Sequence, residues 1–151
     1  MILRTFQRFS ALAMGILASC ASLEPETSLP GKEVLSAEEI RVAKRTPDFE
    51  KHVRPILQTK CVSCHTYEAQ PHRMSLADRS AAKKSGAIGA MIVPGKPEFS
   101  PLLMRLDGKH AGLQAMPPVG ERLTKNELKI LTQWVKLGAK WPMGAAGKVE
   151  L

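Results

Sequence analysis

The sequence predicts a small all-α domain, and this prediction rests on two N-capping motifs and one strong helical period. Ser36-Ala37-Glu38-Glu39 and Thr124-Lys125-Asn126-Glu127 each place Glu three residues after a Ser or Thr, which is the pattern of a capping box. After the second box, apolar side chains recur at helical spacing until Gly138; they are Leu128, Leu131, Trp134 and Val135. At 151 residues, the chain has room for one such domain, a targeting segment and a linker.

Shorter helices are predicted between the two boxes. The first box predicts a short peripheral helix, and Thr46-Pro47 predicts the start of a second helix that leads to Cys61. Pro55 leaves this second helix open to two interpretations, a kinked helix or a loose turn followed by a helix that starts beside the proline. Two further helices are predicted at about 79–85 and 102–106, within a segment rich in Gly, Pro and Ser.

The N-terminus has the features of a bacterial export signal. Arg4 and Arg8 come before a nine-residue apolar run that ends at Leu17, and this run is shorter than the about 20 residues that span a bilayer. The run ends in Leu17-Ala18-Ser19-Cys20, which resembles the lipobox of bacterial lipoproteins and implies a lipid on Cys20. An ordinary cleaved signal is the alternative. We therefore expect an extracytoplasmic protein, on the periplasmic side, that is anchored to a membrane by lipid at Cys20.

These features divide the chain into four segments. The signal peptide is predicted at 1–19, a spacer with the peripheral helix at 20–45, the folded domain at 46–143 and a flexible tail at 144–151. Removal of the signal lowers the formal charge from +8 to +6. A surplus of that size suits a partner protein with an acidic docking surface. The basic residues are scattered, which argues against nucleic-acid binding.

Cys61-Val62-Ser63-Cys64-His65 has the C-x-x-C-H pattern of c-type haem attachment. Two intervening residues make one turn, which puts both sulfurs along the haem edge, where they add to the two vinyl groups. The histidine that follows then meets the iron as the proximal ligand. The sequence therefore predicts one covalently bound haem c. Such a buried haem also supplies apolar mass to a chain in which aromatic residues are only 5%.

Two other kinds of site use the same cysteine spacing. A thioredoxin-like pair needs a strand-helix-strand setting, and a tetrahedral zinc site needs a second closely spaced pair of Cys or His ligands. No strand-helix-strand setting surrounds the motif, which argues against a thioredoxin-like pair. His52, His72 and His110 are dispersed, so the sequence offers no second ligand pair for zinc either.

The predicted distal ligand is Met116, in the segment Ala115-Met116-Pro117-Pro118. The prolines stiffen a loop and fix the approach of the thioether, and a Met/His pair raises the reduction potential. His72 and His110 are the alternatives for this position. The other methionines in the folded domain are interpreted as core fillers; they are Met74, Met91, Met104 and Met143.

Taken together, these motifs resemble the planctomycete-type c-type cytochrome domain, a member of the class I cytochrome c fold group. The matching segments are Phe49 to Leu57, Cys61 to His65, Ser75 to Ser80, Ile92 to Glu98, Ser100 to Leu102, Met116 to Pro118, Leu123 to Leu128 and Trp134 to Pro142. The resemblance implies few helices around one haem, a helix before the motif that packs on the C-terminal helix, and Met116 as distal ligand. It also implies that 92–97 forms a loop along the haem. The segment 85–89 departs from the family, whose members often have a more glycine-rich turn there.

Arg79 is a candidate contact of a haem propionate within that resemblance, because arginine forms charge-assisted hydrogen bonds with carboxylates. A solvated surface charge is the alternative.

The predicted function is one-electron transfer to or from a redox partner protein, so the chain is not expected to be an enzyme. It would act alone or as a subunit of a redox complex. The alternative is a haem sensor or a peroxidase-like enzyme with an open distal site.

Overall fold

The structure is a computed structural model that describes residues 28–29, 31–68, 73–110 and 112–151. Cys20, the predicted signal segment and His72 lie outside the described residues. The described part contains five α-helices, a π-helix and two short 3₁₀ helices, with a single pair of two-residue strands. The all-α prediction is confirmed for this part of the chain.

The helices and strands of the described part are short, with 12 residues in the longest helix. In order they are β1 (Ser28–Leu29), α1 (Ala37–Ala43), the π-helix (Phe49–Val53), α2 (Arg54–Lys60), α3 (Arg79–Lys84), a 3₁₀ helix (Pro97–Phe99), α4 (Pro101–Asp107), β2 (Gly120–Glu121), α5 (Lys125–Lys136) and a second 3₁₀ helix (Gly144–Gly147). The two strands are parallel, with Ser28 opposite Gly120 and Leu29 opposite Glu121.

Both predicted capping boxes are present. The Ser36 hydroxyl caps α1 and the Thr124 hydroxyl caps α5, and the Glu three residues later bonds back to the N-cap backbone in each case. Glu127 also accepts a hydrogen bond from the backbone N–H of Val34 at 3.0 Å. The second cap therefore ties the segment before α1 to the start of α5.

The segment around Pro55 is one helical run with a wide turn. Asp48, rather than Thr46, caps it, and its side chain accepts from the N–H of Lys51. The turns before the proline are of the π type, with the N–H of Arg54 bonded to the carbonyl of Phe49. A proline ring clashes with the preceding turn of a regular α-helix, and the wider turn gives it room. Pro55 thus lies at the beginning of α2.

Three aromatic rings form the centre of the core. The ring of Phe49 lies 4.9 Å from that of Trp141 and 6.2 Å from that of Trp134, measured between centroids. The indole N–H of Trp134 donates to the carbonyl of Lys140, and that of Trp141 to the carbonyl of Gly147. This aromatic cluster packs the helical run that contains α2 against α5, as the resemblance implied.

Residues on both sides of the predicted domain belong to the core, which corrects its boundaries. Leu35, Ile40 and Ala43 are buried, so α1 is not merely peripheral. Val149 is 1% exposed, and its N–H donates to the carbonyl of Ala77 at 2.8 Å, so the predicted flexible tail at 144–151 is instead packed. The sequence missed this because single apolar residues without a period give no signal of burial.

None of the helices in the described ranges is long and apolar enough to cross a membrane.

We expect Val149→Ala to lower the free energy of unfolding by about 2 kcal/mol, because it removes two buried methyl groups and leaves a cavity. Leu151→Ala is the matched control, since Leu151 is 89% exposed and its truncation should change nothing measurable. Equilibrium unfolding in denaturant measures both. Equal stability of the two variants would mean that the C-terminal segment does not contribute to the core.

Candidate functional site

A cavity of about 840 Å³ lies between the end of α2, α4 and the loop that leads to β2. Its wall is mainly apolar, as expected for a site that takes up a large cofactor. The lining residues used below are Lys60, Cys61, Cys64, His65, Met74, Leu76, Met91, Leu102, Arg105, Leu106, Met116, Pro117, Pro118 and Glu121. Cys61, Cys64, His65 and Met116, which the sequence singled out, are therefore all at one cavity.

The C-x-x-C-H segment is a tight turn at the C-terminal end of α2. The carbonyl of Cys61 accepts from the N–H of Cys64 at 3.2 Å and from that of His65 at 3.0 Å. Val62 is 1% exposed and anchors the turn in the core. This is the single turn that the cysteine spacing predicts, and it brings both thiols and the imidazole to the cavity.

The segment 74–76 fixes the orientation of the His65 ring. Nδ1 of His65 lies 3.1 Å from the carbonyl oxygen of Met74, and the backbone carbonyl of His65 accepts from the N–H of Leu76 at 2.8 Å. A carbonyl only accepts, so Nδ1 carries the proton and Nε2 is the nitrogen that would bind a metal. This is the arrangement that a haem-ligating histidine needs.

The environment of Cys61 does not suit a redox-active thiol. Burial raises the pKa of Cys61 to about 12, whereas reactive cysteines have lowered pKa values and are typically near helix N-termini. Cys61 is instead the C-cap of α2. Among the described residues, no three side chains of His, Cys, Asp or Glu group as metal ligands.

Met116 is carried to the cavity by a loop that is bonded to α4. Gly108 ends α4 with a positive φ of 67°, a conformation that favours glycine. The chain then turns back, and the N–H of Met116 donates to the carbonyl of Arg105 at 3.0 Å. The guanidinium of Arg105 donates to the carbonyl of Gln114 at 3.3 Å. Arg105 therefore holds this loop through both its backbone and its side chain.

The arginine that lines the cavity is Arg105, not Arg79. Arg79 is the exposed first residue of α3 and is absent from the lining. His110 is exposed and lies instead beside a separate groove between α4 and α5. His52 is buried, and its Nδ1 accepts from the N–H of Asp48 at 2.9 Å. Among the described residues, His65 is thus the histidine that the structure brings to the cavity.

Two methionines interpreted as core fillers have more specific positions. Met74 and Met91 line the cavity, and the carbonyl of Met74 is the partner of the His65 ring. The cavity wall includes Ser85, Gly86, Ala90 and Met91, but none of the predicted haem loop at 92–97. No sequence pattern identifies a backbone carbonyl partner, because every residue carries such a group.

An ion pair joins the two sides of the cavity mouth. Nζ of Lys60, at the end of α2, lies 2.7 Å from a carboxylate oxygen of Glu121 in β2. The hydrogen bond from Lys60 is the main cause that lowers the pKa of the Glu121 carboxyl. Sequence reasoning missed this pair, since the two residues are far apart along the chain.

The C-x-x-C-H turn and the apolar cavity beside it are features of the c-type cytochromes. The family described as Planctomycete cytochrome C matches residues 61–120, from the first cysteine of the motif to the first residue of β2. This stretch of the chain is similar to the planctomycete-type cytochrome c domain, which supports the resemblance predicted from the sequence. No curated protein and no solved structure matches the chain.

The family implies a haem c cofactor, and the residues at the cavity fit this group. His65 would hold the iron through Nε2, and Met116 lies at the same cavity, where its thioether would serve as a neutral second ligand. Leu76, Leu102 and Leu106 supply an apolar wall for the macrocycle. The thiols of Cys61 and Cys64 lie at this cavity, where the vinyl groups would be.

Proposed function

We propose that this protein is a monohaem c-type cytochrome that transfers single electrons, with the haem bound covalently through Cys61 and Cys64. His65 and Met116 are the axial ligands in this proposal. The main support for this proposal is that the C-x-x-C-H turn and Met116 line the same apolar cavity. The sequence holds one such motif, which supports one haem.

The chain's own residues prepare the site for this task. The haem supplies the one-electron couple when bound. The bond from Nδ1 of His65 to the carbonyl of Met74 keeps the imidazole in one tautomer and one orientation in both oxidation states. The apolar wall keeps water away from the iron, and a methionine ligand favours a raised reduction potential.

The absorption spectrum of the purified protein tests the ligand set. We expect a low-spin spectrum with the weak far-red band of sulfur bound to ferric iron, and we expect the haem to stay on the polypeptide after acid extraction. Met116→Ala should abolish the far-red band and give a high-spin iron that binds carbon monoxide when reduced. A wild-type protein that is already high-spin, and reacts with carbon monoxide or peroxide, would support the sensor or peroxidase-like alternative instead.

Arg105 is the residue that we propose as the propionate contact. A positive charge at the cavity stabilises the reduced iron. Because Arg105→Gln removes that charge, the reduction potential should fall by on the order of tens of millivolts. Arg79→Gln removes the same charge from a residue outside the lining and should leave the potential nearly unchanged. Redox titration of both variants makes the comparison. A drop with Arg79→Gln alone would support the assignment made from the sequence.

We also propose that the protein is anchored by lipid at Cys20 on the extracytoplasmic side of a bacterial membrane. The support for this is the lipobox-like segment Leu17-Ala18-Ser19-Cys20 after a short apolar run. The redox partner, alone or within a complex, would then be at the same membrane face. A partner with an acidic docking surface suits the basic charge of the chain.

Cys20→Ser is expected to release the protein from membranes into the soluble extracytoplasmic fraction, because the acyl chains have no other attachment point in this proposal. Fractionation of cells that produce each form, followed by haem staining, measures the distribution. Ser19→Ala is the control and should remain with the membrane, since small residues suit that position. Membrane association of Cys20→Ser would reject the lipid anchor while leaving the haem assignment intact.

A further inference from the structure

The loop of residues 116–121 borders the cavity along its whole length and is bonded to a helix at each end. At its first residue, the N–H of Met116 donates to the carbonyl of Arg105 in α4. At its last residue, Glu121 accepts from Nζ of Lys60 in α2. The helix that carries the haem-attachment turn therefore also holds the far end of the loop that carries Met116.

Lys60 is an unusual partner because its charge is buried. Its side chain is 1% exposed, whereas that of Glu121 is 44% exposed. Lysine is almost never fully buried unless it is paired, and removal of one partner of a buried pair leaves an uncompensated charge. The ammonium donates to the Glu121 carboxylate at 2.7 Å and to the carbonyl of Lys32 at 3.2 Å. This pair is therefore much more costly to break than an ordinary surface ion pair.

The N-terminal segment reinforces the same connection. The backbone of Lys32 contacts both members of the pair, because its carbonyl accepts from Lys60 and its N–H donates to Glu121. The segment lies so close to the chain after β2 that a Cβ on Gly31 would overlap the carbonyl of Arg122. Lys60, Glu121 and the Lys32 backbone thus form one bonded unit, which we call the Lys60 clasp.

We propose that the Lys60 clasp is a positioning device that holds the 116–121 loop against α2 and so keeps Met116 on the haem iron. The inference rests on the proposed function, in which Met116 is the distal ligand. Lys60 and Glu121 are positioning residues here, since they act on the iron only through the loop that carries its ligand.

The physical reason lies in the nature of methionine as a ligand. Its side chain is unbranched and flexible, so the place of its sulfur depends on the backbone that carries it. Without the ion pair, the far end of the loop is no longer tied to α2 and is held only by the short β1–β2 pairing and the Lys32 backbone, so the loop can move away from the cavity more easily. The fraction of molecules with Met116 displaced from the iron should then rise.

Competition by imidazole for the ferric iron measures that fraction. Imidazole binds only when Met116 is displaced, so its apparent affinity follows the population of the open state. We expect Glu121→Gln and Lys60→Met each to strengthen apparent imidazole binding by about tenfold or more, because each breaks the buried pair. The far-red sulfur-to-iron band should disappear at correspondingly lower imidazole concentrations. Both variants are used so that one remains informative if the other does not fold.

Glu38→Gln is the matched control. It breaks the Arg41–Glu38 pair on α1, in which both side chains are more than half exposed and which does not border the cavity. Its imidazole affinity should equal that of the wild type. A second control combines Glu121→Gln with Met116→Ala, in which the clasp should no longer affect imidazole binding.

Three results would overturn the inference, and they are distinguishable. Wild-type imidazole affinity in both clasp variants, with the far-red band present, rejects the clasp alone. A Glu121→Gln effect that persists in the Met116→Ala background shows that the pair governs entry to the cavity rather than the ligand. A wild-type protein without the far-red band rejects Met116 as a ligand, and the clasp with it.

Discussion

The packing of α2 is the constraint on which the rest of the site depends, because the haem-attachment turn follows directly from its last residue. Ile56 and Leu57 of this helix are fully buried, and Phe49 in the preceding π-helix packs against Trp134 and Trp141. The start of the turn, at the buried Cys61 and Val62, is therefore fixed by the same core. The proximal side of the site is therefore held in place by the side-chain packing of the π-helix and α2.

The distal side is built differently. Met116 lies in a loop, and its position depends on a hydrogen bond to the carbonyl of Arg105 and on the ion pair at Glu121 rather than on buried apolar area. Such loops are the usual place for functional residues, and they open at a lower free energy than the core does. The two proposed axial ligands, His65 and Met116, are thus held by interactions of different strength. An exchange of ligands, when it occurs, should begin at Met116 and leave His65 in place.

The predictions from sequence succeeded where a local pattern carries the information. The capping boxes at Ser36 and Thr124 and the C-x-x-C-H turn are each defined by neighbouring residues, and the structure contains all three. The failures concern contacts between distant parts of the chain. The burial of Val149 and the pairing of Lys60 with Glu121 have no local pattern, because a burial partner or an ionic partner many residues away leaves no period in the sequence.

The positions of the few aromatic residues bear on the role of the implied cofactor in the core. Phe49, Trp134 and Trp141 form one cluster, and none of these three rings lines the cavity. The apolar wall of the cavity gains stability only when water is displaced from it. A bound haem would fill this volume and complete the core. Cofactor binding and the folding of the 116–121 loop are then expected to be coupled, because the loop is a wall of the space that the haem fills.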